Sequence, residues 1–429
     1  MLRARLAKAG NFVFITYSIF AAFGAYFCMY AFRKPFSVGT FNGQDAILGD
    51  LGYKSALVMA QVMGYALSKF IGIKVISELR NRYRAVLFAI LILIAELALV
   101  LFAVTPAPWN IALLFLNGLP LGMIWGIVFS YLEGRRFSEI LGAGLSASFI
   151  VSSGAVKSVG KWLTLHFGVS EFWMPAATGA LFLLPLLLFI YLLEQIPPPT
   201  PDDIRLRTER RPMSGAARKA LFIRFAPGFI LLIAFYTLLT AYRDLRDNFA
   251  VEIWSALGFG DTPSIFTISE IPIAVTVLIT MGATMLIQDN RKALSVYLWL
   301  ILAGAALIGG STILLQHHLL GGGVWMVLVG LGLYIAYVPF NCILFDRMIA
   351  AFRYKANAGF LIYVADAFGY MGSVAILVWK DFGEPDISWL SFFKQTSYVL
   401  AFSGFFLIIA AVIYFARKLS APGLQQSPA

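Results

Sequence analysis

About a dozen runs of mostly apolar residues, each some twenty residues long, follow one another along this chain, and that succession dictates its solvent. A helix that crosses a bilayer needs ~20 such residues. Of the 429 residues, 60% are hydrophobic and only 13% are charged. A soluble domain of ordinary composition has about 45–50% apolar and about 25% charged residues. A globular core cannot absorb that surplus, so lipid takes it. Lipid leaves no partner for free backbone groups, which restricts spanning structures to helices and closed barrels. The runs are continuous rather than alternating, which excludes a barrel.

The runs fall into two sets of six. The first set covers 11–32, 55–77, 85–104, 109–131, 140–167 and 172–193. A proline-rich and charged stretch follows from Glu194 to Lys219, containing PPPTPDD and RLRTERRP. Its composition is that of a linker. The second set covers 222–242, 264–287, 293–315, 322–344, 356–379 and 389–416. The expected fold is an all-α membrane protein of twelve transmembrane helices in two pseudo-symmetric six-helix bundles. Its expected divisions are residues 1–194, a linker 195–220, and residues 221–429.

The net charge of +11 belongs to loops rather than to nucleic-acid binding. One set of loops carries Arg3, Arg5 and Lys8, then Arg80, Arg82 and Arg84, then Arg135 and Arg136. The linker arginines, Arg291 with Lys292, Arg347, Arg353 and Lys355, and Arg417 with Lys418 fall on the same side. The opposite loops, such as TPAPW and QHHLLGGG, have no Lys or Arg. By the positive-inside bias both termini and the linker are cytoplasmic. The expected location is a cell membrane, of the bacterial inner-membrane kind, with the chain as a multi-pass monomer. The first run is too long for a cleaved signal peptide and lacks a small-residue cleavage site, so it is expected to be retained. Reporter fusions at Gln195 and at Ala429 should both report the cytoplasm; a signal from the opposite side at either position overturns the twelve-helix topology.

Enzymatic chemistry finds no support. His166, His317 and His318 fall at loop ends, and no Gly-rich phosphate loop, HExxH or GxSxG is present. Cys28 and Cys342 lie apart in apolar runs and read as small core residues. No metal or cofactor is expected.

Charges inside the apolar runs are the candidate functional residues. A cation at membrane depth costs at least ~2.5–3.5 kcal/mol, so it is kept mostly where it faces a partner, a substrate or a water-filled cavity. In the first run Tyr26, Tyr30 and Arg33 are spaced i, i+4 and i+7, on one helical face. Lys34 follows. Lys69 sits well inside the second run and Lys157 in the middle of the fifth, with Lys161 a turn further on. Arg243 and Arg246 close the seventh run, beside Asp244 and Asp247. Arg33 could instead mark the outer membrane boundary, and Arg243 could pair locally with Asp247 at i+4. Glu96, Glu270 and Asp366 are acids inside apolar runs, each a proton carrier or a counter-ion to one of the cations. Glycines around Asp366, in IYVADAFGYMG, permit close helix contact there. Glu133 with Arg135, and Asp346 with Arg347, close the fourth and tenth runs and read as charge pairs of a cytoplasmic gate.

Two short stretches carry a resemblance. GIKVISELRNRYR after the second run and MLIQDNRKAL after the eighth each set an acid, Glu78 or Asp289, shortly before a basic cluster. In that placement they resemble the G-x-x-x-D-R-x-G-R-R loops of the major facilitator superfamily. GAYFCMYAFRKPF and GYALSKF resemble the first and second helices of its organophosphate:phosphate antiporters, the glycerol-3-phosphate and hexose-phosphate transporters. The resemblance implies an anion site in which Arg33 and one of Arg243 and Arg246 bind phosphate, with Lys69 assisting. The chain departs from those antiporters in YRDLRDNF, with its two acids, and in SFIVSSGAVKSVGKW, which lacks their histidine and triple glycine. The function expected is secondary transport of a small organic anion by alternating access, a phosphorylated metabolite being one candidate substrate. A proton-coupled carrier of a neutral or cationic solute, and a non-transporting membrane sensor, are the other readings.

Overall fold

The computed structural model describes residues 2–44, 51–132, 135, 137–200, 203, 215–352, 354 and 358–420. Among the described residues there is no strand. Long helices follow the apolar runs: α1 Asn11–Met29, α2 Tyr53–Glu78, α3 Arg84–Val104, α4 Ile111–Ser130, α5 Ser138–Phe167 and α6 Met174–Glu194. The remainder are α7 Gly215–Asn248, α8 Ile265–Thr284, α9 Asn290–Gln316, α10 Gly322–Cys342, α11 Ala358–Val378 and α12 Trp389–Ser420. Ten of these are long and apolar enough to cross a membrane, counting only the described residues. The helix count matches the two sets of six read from hydropathy. Most of the linker lies outside the described residues, as does Glu133, and so do the side chains of Glu78 and Cys342.

The chain forms two compact units. Unit one comprises Met1–Leu206, Asp244–Ala274 and Ser373–Phe392; unit two comprises Arg207–Arg243, Val275–Gly372 and Phe393–Ala429.

In unit one, α2 and α4 touch backbone to backbone. A Cβ on Gly118 would stand 2.2 Å from the Gln61 carbonyl oxygen, and one on Gly64 would stand 2.1 Å from that of Phe115. Lipid tails are as apolar as Leu, so helix association in a membrane depends on close van der Waals fit, which small residues permit. α5 is the most buried of the spanning helices. Its polar residues Ser146, Ser148, Ser152, Ser153 and Lys157 all face inward. Ser148 and Ser152 spend their hydroxyls on the carbonyls of Leu145 and Ser148, so the helix itself satisfies them.

Unit two repeats the device. Gly304 of α9 and Gly332 of α10 face each other, each so placed that a Cβ would collide with the other's carbonyl oxygen. α12 is the least buried spanning helix and carries Phe402, Phe405 and Phe406 outward.

α9 has a side-chain cap. Asp289 accepts from the backbone N–H of Arg291 at 2.8 Å and of Lys292 at 3.2 Å. These bonds engage amides that have no partner inside the helix. Because they favour the charged form, they hold the Asp289 carboxyl below its ordinary value. A carboxyl so lowered stabilises the folded chain above its unfolded value, and that contribution is lost as pH falls through the folded value. The gap in thermal midpoint between wild type and Asp289→Ala should therefore narrow in acid. A gap that stays constant down to the acid limit would mean that the charge of the Asp289 carboxylate contributes nothing.

Candidate functional site

The first spanning helix breaks where its cations begin. The α-helix ends at Met29 and tightens to a 3-10 turn over Tyr30–Phe32; Pro35 then opens a second 3-10 turn through Val38. Proline lacks the N–H needed to continue the ladder. A break inside a membrane must find new partners for the freed carbonyls. Two buried amides supply them: Gln61 of α2 donates to the Arg33 carbonyl at 2.9 Å, and Asn117 of α4 donates to that of Phe32 at 2.9 Å. Asn117 also donates to Ala95 at 3.0 Å and accepts from Gln61 at 2.7 Å. Gln61 and Asn117 were not among the sequence candidates. The available signal was an amide within an apolar window, a weak one because amides are uncharged.

Arg33 is buried, with 5% of its surface exposed. Its guanidinium carbon lies 3.8 Å from the centroid of the Tyr65 ring of α2 and 6.0 Å from that of Tyr30. Lys69, one turn beyond Tyr65, lies 5.4 Å from the same ring and 5.8 Å from Trp125. Two of the sequence candidates thus meet on one aromatic side chain. Tyr26 and Tyr30 pack edge to face at 5.5 Å on the same helix as Arg33.

The next residues form an ion cluster, also within unit one. Lys34 lies 2.5 Å from Asp247 and donates to Asn248 at 3.0 Å. Lys157 pairs with the same Asp247 carboxylate and also donates to its backbone carbonyl. Ser153 donates to that carboxylate as well. Arg246 donates to Glu270 at 2.7 Å. Gly154 lets α5 approach α8 here: a Cβ at that position would stand 1.9 Å from the Phe266 carbonyl oxygen. Lys54 pairs with Glu252, and Asp244 accepts from Ser373 at 2.7 Å. Lys157 and Arg246 thus sit against acids, while Arg33 and Lys69 sit against Tyr65. Asp247 holds two lysines from distant parts of the chain, a role that its spacing from Arg243 does not suggest. Glu96 is half-buried, its carboxylate set against Gly179 of α6, where a Cβ would come within 2.1 Å of one oxygen.

In unit two, Arg243 donates to the Tyr337 hydroxyl, with its guanidinium carbon 4.6 Å from that ring. Asp366 accepts from Tyr236 at 2.6 Å, and Tyr236 stacks on Tyr337 at 5.1 Å. Of the residues read from sequence as gate pairs, Arg347 is buried and donates to Asn290 at 2.8 Å, beside the capped start of α9. Asp346 precedes it on the same short helix. In unit one, Arg135 donates to the carbonyls of Tyr131 and Pro197 and lies over the Phe14 ring. Burial pulls its guanidinium below the ordinary value, and Asp203 opposes that pull. Among the described residues no group of His, Cys, Asp and Glu could hold a metal ion.

Comparison with known proteins places the chain by fold. The model of a family of unknown function, DUF5690, matches residues 35–418. No curated protein sequence matches the chain. A solved D-xylose–proton symporter is similar over 94% of this chain and 97% of its own, with 14% identity and a TM-score of 0.60. A peptide transporter of the POT family, solved with sulfate, is similar over 97% of this chain and 98% of its own, with 14% identity and a TM-score of 0.60. The nucleoside transporter NupG is similar over 94% of this chain and 98% of its own, with 14% identity and a TM-score of 0.61. These likenesses, over nearly the whole length, give the chain the major-facilitator fold.

Proposed function

Because this chain belongs to DUF5690, a family of unknown function, and carries the major-facilitator fold, we propose that it is a secondary active transporter of a small organic anion. The division into an amino-terminal bundle, a cytoplasmic linker and a carboxy-terminal bundle belongs to this reading, with alternating access as the mechanism. The observation that carries it is the meeting of Arg33 and Lys69 on Tyr65. Two like charges near one ring repel each other, and an anion between them relieves that repulsion. The planar fork of arginine and the rotating ammonium of lysine together suit a phosphoryl group or a carboxylate. The tyrosine ring gives the cations a favourable face while the site is empty. A phosphorylated metabolite is the substrate class this arrangement suits best.

The cations Lys34, Lys54, Lys157 and Arg246 have acidic partners and are neutralised in place. In this reading the anion meets Arg33 and Lys69, which share Tyr65.

The test is a thermal-shift screen of the purified protein against phosphorylated metabolites, simple carboxylates, and uncharged sugars, peptides and nucleosides. A phosphorylated compound should raise the midpoint of wild type and not that of Lys69→Ala. A panel in which only uncharged sugars, peptides or nucleosides raise it would overturn the anion reading.

A further inference from the structure

Unit two carries a group of cations at the membrane surface where α7 begins and α12 ends. Arg224 stands on α7, and Arg417 and Lys418 lie in the last turn of α12. These helices have 34 and 32 residues. A span needs about 20, so their ends extend into the headgroup layer.

Lysines near helix ends ordinarily reach outward with their heads in water. Lys418 is instead turned back onto its own unit. Its ammonium donates to the Arg224 backbone carbonyl, 194 residues away in sequence, and at 3.0 Å to the Tyr414 hydroxyl. It lies 4.8 Å from the Phe225 ring. The Arg224 guanidinium carbon lies 5.6 Å from the Tyr354 ring, and Tyr354 meets Phe225 edge to face at 6.0 Å. The two cations thus share one aromatic cluster. Among the described residues no acid pairs with Arg224, Arg417 or Lys418. An ammonium has three hydrogens, and the two bonds of Lys418 leave one for an anion.

Away from the cations, toward the middle of the helices, the outer surface is apolar. Ile223, Pro227 and Ile230 form an exposed stripe of α7 at i, i+4 and i+7. Phe402, Phe406 and Ile413 form one on α12, and exposed Arg417 tops it. The two helices meet closely at Gly228, where a Cβ would stand 2.5 Å from the Phe415 ring and 2.7 Å from that of Tyr414.

We propose that this surface binds one anionic phospholipid, with its phosphate at Arg224 and Lys418 and its acyl chains along the two stripes. Charge selects the headgroup. Three cations with no acid among them attract a lipid of net negative charge and favour it over a zwitterionic one. The guanidinium fork and the ammonium both suit phosphate oxygens. The apolar stripes select a lipid over free phosphate, because only a lipid covers them. A lipid so placed ties the start of α7 to the end of α12. This inference does not depend on what the protein transports.

The experiment is native mass spectrometry of the purified full-length protein, delipidated in detergent and then given phosphatidylglycerol or phosphatidylcholine. Wild type should retain one phosphatidylglycerol at concentrations where phosphatidylcholine is lost. Arg224→Gln keeps the backbone carbonyl that holds Lys418, so the fold is kept, and should weaken phosphatidylglycerol binding about fivefold. Arg224→Gln with Lys418→Gln should weaken it about thirtyfold, the effect of two surface cations on an anionic lipid. Lys292→Gln removes an exposed cation at the start of α9, away from this surface, and should change nothing. Failure of wild type to retain phosphatidylglycerol, or equal retention of the two lipids, overturns the proposal. So does binding that neither Arg224→Gln nor the double variant weakens. A loss in Lys292→Gln equal to that in Arg224→Gln overturns it as well, by reducing the site to general surface charge. Displacement of phosphatidylglycerol by inorganic phosphate at equal concentration would make the ligand free phosphate, and the proposal would fall.

Discussion

Arg33→Ala should reach the membrane in wild-type amounts and show no uptake of the anionic solute. The two halves of that result have separate causes. The break in the first helix is held through its backbone, by Gln61 on the Arg33 carbonyl and Asn117 on that of Phe32. Those bonds survive loss of the side chain, so the fold survives. What is lost is the buried guanidinium over Tyr65, and with it the paired positive charge that an anion would meet. Arg33→Lys should fail almost as completely if a phosphoryl group is bound, because an ammonium cannot make the planar two-point contact of a guanidinium. The measurement is uptake into proteoliposomes of whichever phosphorylated compound stabilises the purified protein. Uptake at the wild-type rate by Arg33→Ala would return this residue to the role of a boundary charge.

Asp247→Ala should lower stability by about 3–5 kcal/mol, the range found when one partner of a buried ion pair is removed. The effect should lie at the upper end, because a single carboxylate serves both Lys34 and Lys157. Both lysines are nearly inaccessible, at 4% and 2% exposure, and they come from segments far apart in the chain. Without the acid they leave two unneutralised charges close together in a medium that solvates neither. Introducing Lys157→Met into the Asp247→Ala chain should recover a large part of the loss, since it removes one of the two stranded charges. Thermal unfolding of the four chains of this cycle gives the coupling directly. If Lys157→Met brings no recovery in the Asp247→Ala background, the shared carboxylate is not what holds these helices.

Asp247 also marks how far sequence reasoning reaches. A helix permits an i, i+4 pair between Arg243 and Asp247, and spacing along one segment offers nothing else. The partners found for Asp247, Lys34 and Lys157, are 213 and 90 residues away in sequence, as the numbering shows. Lys157 was legible as a costly charge but not as a paired one. The same holds for Arg246, whose partner Glu270 was read independently as a proton carrier or a counter-ion. Tyr65, which carries both Arg33 and Lys69, gave no signal, since a tyrosine in an apolar run costs little and is common. The Asp366 cluster was visible only as an acid among glycines. Its two tyrosines come from α7 and α10, and no periodicity within α11 points to them.

What the sequence by itself determined is the number, kind and extent of the spanning elements. The reason is that hydropathy acts residue by residue: a run too apolar for water and too long for a core must become a helix in lipid, whatever it packs against. It determined as well that charges within those runs need a reason, because the cost of burying each one is local. Which charge meets which was decided only by the tertiary structure. An ion pair or hydrogen bond needs its two groups within a few ångströms, and helix packing sets that distance through close contacts such as those at Gly64, Gly118 and Gly154. Those contacts depend on shape across helices distant in the chain. No local pattern encodes them.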